Sequence, residues 1–228
     1  MVGIKPKGKV KLVWSPNFAY AIGLLASDGC ILGDGRHIEL TSKDEEQLRN
    51  FLIALDIEVK ITIKHSSIGN EYKRVQFGDV LFCRFLGTIG LTPAKSKTIG
   101  VLKIPAKYFF DFLRGSFDGD GSFYSYFDPR WRSSFMFYTV FISASKKHID
   151  WVRQEIEKRL KIKGHITEDG NGSTFQLKYA KADSLELLPE MYYDDRVIHL
   201  SRKYKKIQQA LEIAKNNAQV EKLVNSLP

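Results

Sequence analysis

The sequence predicts an α+β fold made of two pseudo-symmetric αββαββα units, each with a four-stranded antiparallel sheet. Three observations carry that prediction. Two apolar runs at helical spacing, "YAIGLLASDG" from Tyr20 and "FLRGSFDGDG" from Phe112, finish on the same aspartate–glycine chemistry. Each run is followed by the same succession of extended and helical segments, and such self-similarity is the signature of a repeated structural unit. Small residues recur every fourth position at Ala19, Gly23 and Ser27 and at Gly115 and Gly119, which places them on one helical face.

The first unit reads in order from Gly29. "CILGDGRHIEL" is two short extended runs broken by Gly33, Asp34 and Gly35, a hairpin pattern. "TSKDEEQLRNFLIAL" is a helix that Ser42 or Asp44 can cap, with Leu48, Phe51, Leu52 and Leu55 on one face. "EVKITIK" alternates apolar and polar residues as a half-buried strand does. "SSIGN" turns the chain, "EYKRVQF" returns it, and "DVLFCRFLGTIGL" closes the unit as a helix ending near Gly90. The second unit repeats the plan: "SFYSYF" and "FMFYTVFIS" around the turn "DPRWRSS", the helix "SKKHIDWVRQEIEKRL", the strands "GHITE" and "TFQLKYA", and the closing helix "KADSLELLPEMY". Residues 1–103 then form an N-terminal repeat with a basic arm and a linker. Residues 104–228 form a C-terminal repeat with a basic terminal helix from "LSRKYKKIQQALEIAK" onward.

The chain has 228 residues, 43% of them apolar, enough for a substantial core. Its formal net charge is +9, which points to a polyanionic partner such as nucleic acid. Two cysteines without metal-like spacing make no disulfide framework and fit a reducing compartment. "FAYAIGLLAS" is too short to span a bilayer, and the N-terminal stretch lacks the apolar core of a signal peptide. The expected location is therefore the cytoplasm or an organellar matrix, without membrane attachment.

Antiparallel sheets commonly bury one face and leave the other wet. Alternation puts His37, Glu39, Thr41, Lys60, Thr62, Lys64, Arg74 and Gln76 on the wet face of the first sheet, and Gln176 and Lys178 on that of the second. "FMFYTVFIS" is apolar on both faces, so its register is not set by pattern alone.

The helix ends carry the chemistry. A helix C-terminus bears partial negative charge and free carbonyls, so an aspartate there is mildly destabilising and two such ends side by side repel. Small-residue faces let two helices approach closely, which would set Asp28 beside Asp120. A divalent cation reverses the sign of that repulsion, and carboxylates with backbone carbonyls are hard ligands suited to Mg²⁺. Gly29 and Gly121 are expected to supply left-handed stops after the two helices. A calcium loop at "DGDGSF" fails, because Phe123 and Pro129 stand where glycine and glutamate are needed.

"AIGLLASDG" and "LRGSFDGDG" resemble the two motifs of LAGLIDADG homing endonucleases in their single-chain, two-repeat form, and the resemblance extends over nearly the whole chain. "IPAKYFFDFLRGSFDGDGSF" is the stronger match; the first copy departs at Ala26, where the motif has aspartate. The resemblance implies a saddle of two sheets lying along the DNA major groove, with the paired motif helices at its centre. It implies a monomer, without an obligate protein partner, that cleaves both strands of a long, asymmetric duplex target. Asp28 and Asp120 would hold Mg²⁺, with Mn²⁺ or Ca²⁺ able to substitute in binding, and carbonyls near Ser27 and Gly119 would add ligands. Lys97 and Lys205, with Lys95 and Lys203 beside them, are the expected basic residues of the catalytic site. Arg130 and Arg132 would reach flanking DNA from the second hairpin. The same fold also serves intron-splicing maturases and could serve a catalytically silent DNA-binding regulator; the intact Asp28 and Asp120 favour cleavage.

Overall fold

A computed structural model describes residues 8–65, 69–130 and 134–225, with side chains as far as residue 217. Arg132 and the first residues of the basic arm lie outside the described residues. The element order is α1 (Pro16–Ser27), β1 (Gly29–Ile31), β2 (His37–Ser42), α2 (Glu45–Leu55), β3 (Thr62–His65), β4 (Glu71–Gly78) and α3 (Val80–Ile89). The second half follows the same order: α4 (Phe109–Asp120), β5 (Ser122–Phe127), β6 (Phe135–Ser143), α5 (Lys146–Leu160), β7 (His165–Glu168), β8 (Phe175–Tyr179) and α6 (Lys181–Met191), with α7 (Ser201–Asn225) appended. Each half forms a four-stranded antiparallel sheet, in orders β1-β2-β4-β3 and β5-β6-β8-β7. The predicted fold class is the observed one.

Local chemistry explains the boundaries. Ser15 caps α1, its hydroxyl accepting from Phe18 N, and Pro16 takes the first helical position, where its missing N–H costs nothing. Asp44 caps α2 by accepting from Glu46 N, while Ser42 Oγ accepts from Asp44 N. Asp79 caps α3 and also accepts the backbone N–H groups of Lys9 and Val10, tying the N-terminal segment to the first half.

Two expectations are corrected. The strand expected over 58–64 begins only at Thr62, because Val59 and Ile61 pack half-buried against the core and sheet pairing starts with Thr62 opposite Arg74. Lys60 therefore precedes the strand and is exposed. Gly29 and Gly121 are not left-handed stops: α1 is followed by Asp28 at φ −88°, and Gly121 is extended at φ −68°. They are glycine for space instead. A Cβ at Gly29 would lie 2.5 Å from Leu25 Cδ2, and one at Gly121 2.5 Å from Phe117 O.

The helices cover one face of each sheet, and a continuous apolar core runs through both halves. Its centre is the α1–α4 contact, the most extensive between elements. Among the described residues, no helix is long and apolar enough to cross a membrane.

Candidate functional site

α1 and α4 touch backbone to backbone. A methyl group at Gly23 would stand 2.1 Å from Phe112 O, and one at Gly115 2.0 Å from Tyr20 O. Where the helices end, a Cβ at Gly119 would lie 1.9 Å from Ser27 Oγ and 3.1 Å from Asp28 Oδ2. The small-residue stripes seen in the sequence are thus the contact surface, and they bring Asp28 and Asp120 together.

The two acids are held unequally. Asp120 is exposed, whereas Asp28 is half-buried and its Oδ2 accepts from Gln47 Nε2 at 2.5 Å. Burial, and then the negative charge of Asp120, push the Asp28 pKa up to about 6, while Gln47 opposes the shift. Gln47 is itself buried in α2 and accepts from Ser42 Oγ at 2.6 Å. A carboxylate pair under mutual repulsion is a site that gains from a cation.

Two lysines answer the helix-end carbonyls. Lys203 Nζ donates to Phe117 O and Gly121 O, each at 2.6 Å, and approaches Asp118 O and Gly119 O at 3.0 and 3.2 Å. Lys95 Nζ donates to Gly29 O at 2.6 Å and lies 3.4 Å from Ser27 O. Both side chains are buried. Burial lowers the Lys203 pKa to about 8 against the pull of nearby carboxylates, and lowers that of Lys95. Lys97 and Lys205, the first choices from sequence, are exposed. On α7 two residues turn through about 200°, so the helix face that directs Lys203 inward directs Lys205 away.

Asp118 is fully buried, not part of a calcium loop. Its Oδ2 accepts from Tyr20 Oη at 2.8 Å and from Leu200 N at 2.7 Å, joining α1, α4 and the start of α7. Burial raises its pKa to about 6 despite these donors and the positive charge of Lys203.

The donor set fits a hard divalent cation. Asp28 and Asp120 are adjacent, the missing side chain of Gly119 lets the two helix tips close to contact, and the carbonyls of Ser27 and Gly119 receive only the longest contacts of their lysines. Among the described residues no cluster of three or more His, Cys, Asp or Glu is arranged for a metal, so carbonyls and water would complete such a shell.

Apart from Lys60, which precedes β3, the residues expected on the first sheet's wet face share one face. Glu39 pairs across strands with Gln76, and Thr41 and Thr62 with Arg74, which sets these residues and His37 on one face. Lys64 Nζ reaches Glu39 Oε1 at 2.5 Å and Arg74 Nη1 lies 3.6 Å from Glu39 Oε2, so both cations are braced by one carboxylate. On the second sheet, Gln176 opposes Ile142 and Lys178 opposes Val140, sharing their face. Arg130 lies in the β5–β6 turn in a forked pair with Asp128.

Gln47, Tyr20 and Leu200 N were not legible as site residues. Only Gln47 left a signal: a polar residue beside Leu48 on the apolar face of its helix.

Known structures share this fold. The LAGLIDADG homing endonuclease I-LtrWI bound to target DNA matches with TM-score 0.57 at 12% identity, covering 88% of this chain and 91% of that one. The homing endonuclease I-DmoI in complex with DNA and Ca matches with TM-score 0.52 at 12% identity, covering 78% of this chain and 90% of that one. Full-length DUF199/WhiA from Thermatoga maritima matches with TM-score 0.53 at 15% identity, covering 91% of this chain and 69% of that one. No protein-family model and no curated protein sequence matches the chain. The chain has the two-repeat LAGLIDADG fold. At these identities the likeness speaks for the fold alone.

Proposed function

We propose that the protein is a site-specific, metal-dependent endonuclease acting on duplex DNA. The observation that carries this reading is the contact of α1 with α4, which sets Asp28 and Asp120 together at the helix ends with a buried lysine beneath each end. Asp28, Asp120 and the Ser27 and Gly119 carbonyls would hold the divalent cation, Mg²⁺ being the natural choice for hard oxygen donors. When bound, that cation polarises phosphate oxygens and lowers the pKa of coordinated water. The carboxylates are ligands, not nucleophiles. Gln47 fixes Asp28 in place, and Lys95 and Lys203 offset the negative ends of α1 and α4 so that the two acids tolerate each other. The polar sheet faces would lie in the major groove, with Arg74 and Lys64 reading guanine, Gln76 reading adenine, and Arg130 and the lysine-rich ends gripping phosphate. The two halves are unequal, so a single chain would serve an asymmetric site as a monomer in a reducing compartment.

The test is cleavage of a selected duplex with and without Mg²⁺. Asp28→Asn and Asp120→Asn are expected to abolish double-strand cleavage and retain binding. Full activity in either variant overturns the assignment. A second reading, a non-cleaving DNA-binding protein, is favoured by one observation: the lysine ammonium groups already supply positive charge at the Ser27 and Gly119 carbonyls. It is supported if the wild type binds duplex tightly in Mg²⁺ and leaves it intact.

A further inference from the structure

We infer that the two sheets differ in base preference: the half-site under the second sheet is richer in A·T pairs than the half-site under the first. This rests on the proposed binding of duplex DNA and goes beyond it to the composition of the target.

Register makes the two open faces comparable position by position. Cys30 pairs with Glu39 and Ser122 with Val140, so Val140 stands where Glu39 stands in the first half. By the same registers Tyr138 replaces His37, Ile142 replaces Thr41, Gln176 replaces Arg74, and Lys178 replaces Gln76. The acid that braces Arg74 and Lys64, and that could itself accept from cytosine N4, is therefore absent from the second face. The arginine opposite becomes glutamine. Val140 is 2% exposed yet stands apart from the core cluster, in keeping with its place on the open face.

Tyrosines fill the space left. Tyr124 lies opposite Tyr138 with ring centroids 5.2 Å apart, and Tyr126 stands at 6.4 Å from Tyr138 with planes 6° apart. Tyr124 and Tyr126 are 42% and 41% exposed. Both rings stack against Tyr138 and both keep exposed surface, so the three form one aromatic patch on the open face. In a duplex such a patch meets the edges and methyl groups of paired bases; stacking of an unpaired base is the competing mode, which the single-stranded library tests. Lys178 on β8 and Lys206 on α7, which lines a cleft with Tyr124, are the cations flanking the stack, so the face suits an anionic groove with apolar content.

Direct readout supplies the rest. Guanine is read chiefly by Arg or Lys and cytosine by Asp or Glu. Adenine takes a two-point contact from Gln or Asn, and the thymine methyl group takes apolar contact. Gln176, the tyrosines, Met136 and Ile142 offer the second pair of contacts; among the described strand residues of this face Lys178 offers the first, where the first sheet has Arg74, Lys64 and Glu39.

The experiment is selection by binding from a random duplex DNA library in Ca²⁺, with the same library presented single-stranded in parallel. The expected result is a bipartite site whose one half is enriched in A·T. Gln176→Ala and Tyr138→Ala should each relax base preference about fivefold or more at positions in that half and leave the other half unchanged. Tyr124→Ser, at an exposed position, gives the same readout if a stacked tyrosine proves needed for folding. A second half-site rich in G·C, or without base preference while the first half is selected, overturns the inference and leaves duplex binding standing. Preference for the single-stranded library, or no selection at all, removes the duplex reading and this inference with it.

Discussion

At the scale of single residues, the site is an arrangement for tolerating negative charge. Gln47→Leu leaves Asp28 and Ser42 without their buried partner, a loss of about 1–3 kcal/mol. Its removal also takes away the bond that favours the Asp28 carboxylate. The expected outcome is a higher Mg²⁺ concentration for half-maximal cleavage and a lower denaturation midpoint, read by a metal titration and a urea melt. His148 offers a pH test away from the acids. Its Nδ1 lies 3.0 Å from Gly100 O, and its ring packs against Phe112 and Trp151. Burial lowers its pKa, the Gly100 carbonyl opposes that, and the charge of Lys95 lowers it further. Depressed in the folded state, it leaves the unfolded chain to take up the proton first. Its contribution is complete above the unfolded value of about 6.5 and is lost as the pH falls below it. His148→Gln should remove that part of the pH dependence, measured as the difference between the two proteins' urea midpoints across this range. Asp28 and Asp120 were legible because an aspartate closing a helix before glycine is awkward by itself. Gln47 and Tyr20 were not, because their roles arise only when α2 meets α1 and α1 meets α4.

At the scale of elements, the α1–α4 contact decides whether a site exists. The atoms that a new methyl would meet at Gly115 and Gly23 are backbone oxygens, which cannot rotate aside as a side chain can. Gly115→Ala or Gly23→Ala should force the helices apart, cost about 1–3 kcal/mol or more, and abolish cleavage. Gly87→Ala in α3 is the control: a Cβ there meets nothing within 4 Å, and the change should stabilise the helix by up to about 1 kcal/mol. Thermal melts of the three variants separate these outcomes. The stripes that make this contact were readable from four-residue spacing. The roles of Gly29 and Gly121 were not, because packing of their flanking residues, rather than a left-handed turn, demands the missing Cβ. Which lysine of each basic segment turns inward was not readable for a similar reason: composition shows the segment, but helical phase within it, which buries Lys95 and Lys203 and exposes Lys97 and Lys205, depends on where the turn begins.

At the scale of the whole molecule, the halves share a plan and differ in surface. Alternation revealed the first sheet's open face because its polar residues are charged. It left β6 unresolved because Met136, Tyr138, Val140 and Ile142 are as apolar as the residues on its core side. Packing and hydrogen bonds join the halves, so chelation should stop cleavage without unfolding the protein. Added Mg²⁺ should raise the melting temperature of the wild type, since a ligand that binds only the folded state stabilises it. That rise should vanish in Asp120→Asn. Duplex affinity should fall steeply with salt, in proportion to the phosphates contacted.

The segment entering α7 has a consequence for synthesis. Asn50 Nδ2 donates to His199 O, Ser201 N donates to Glu46 Oε1, Arg202 pairs with Asp44, and Leu200 N and Lys203 fasten the end of α4. Contacts joining residues 44–50 to residues 199–202 cannot form until the segment entering α7 has left the ribosome. A nascent chain therefore carries both acidic residues long before it can lock them in place, and the proposed site is assembled only after the segment entering α7 has emerged.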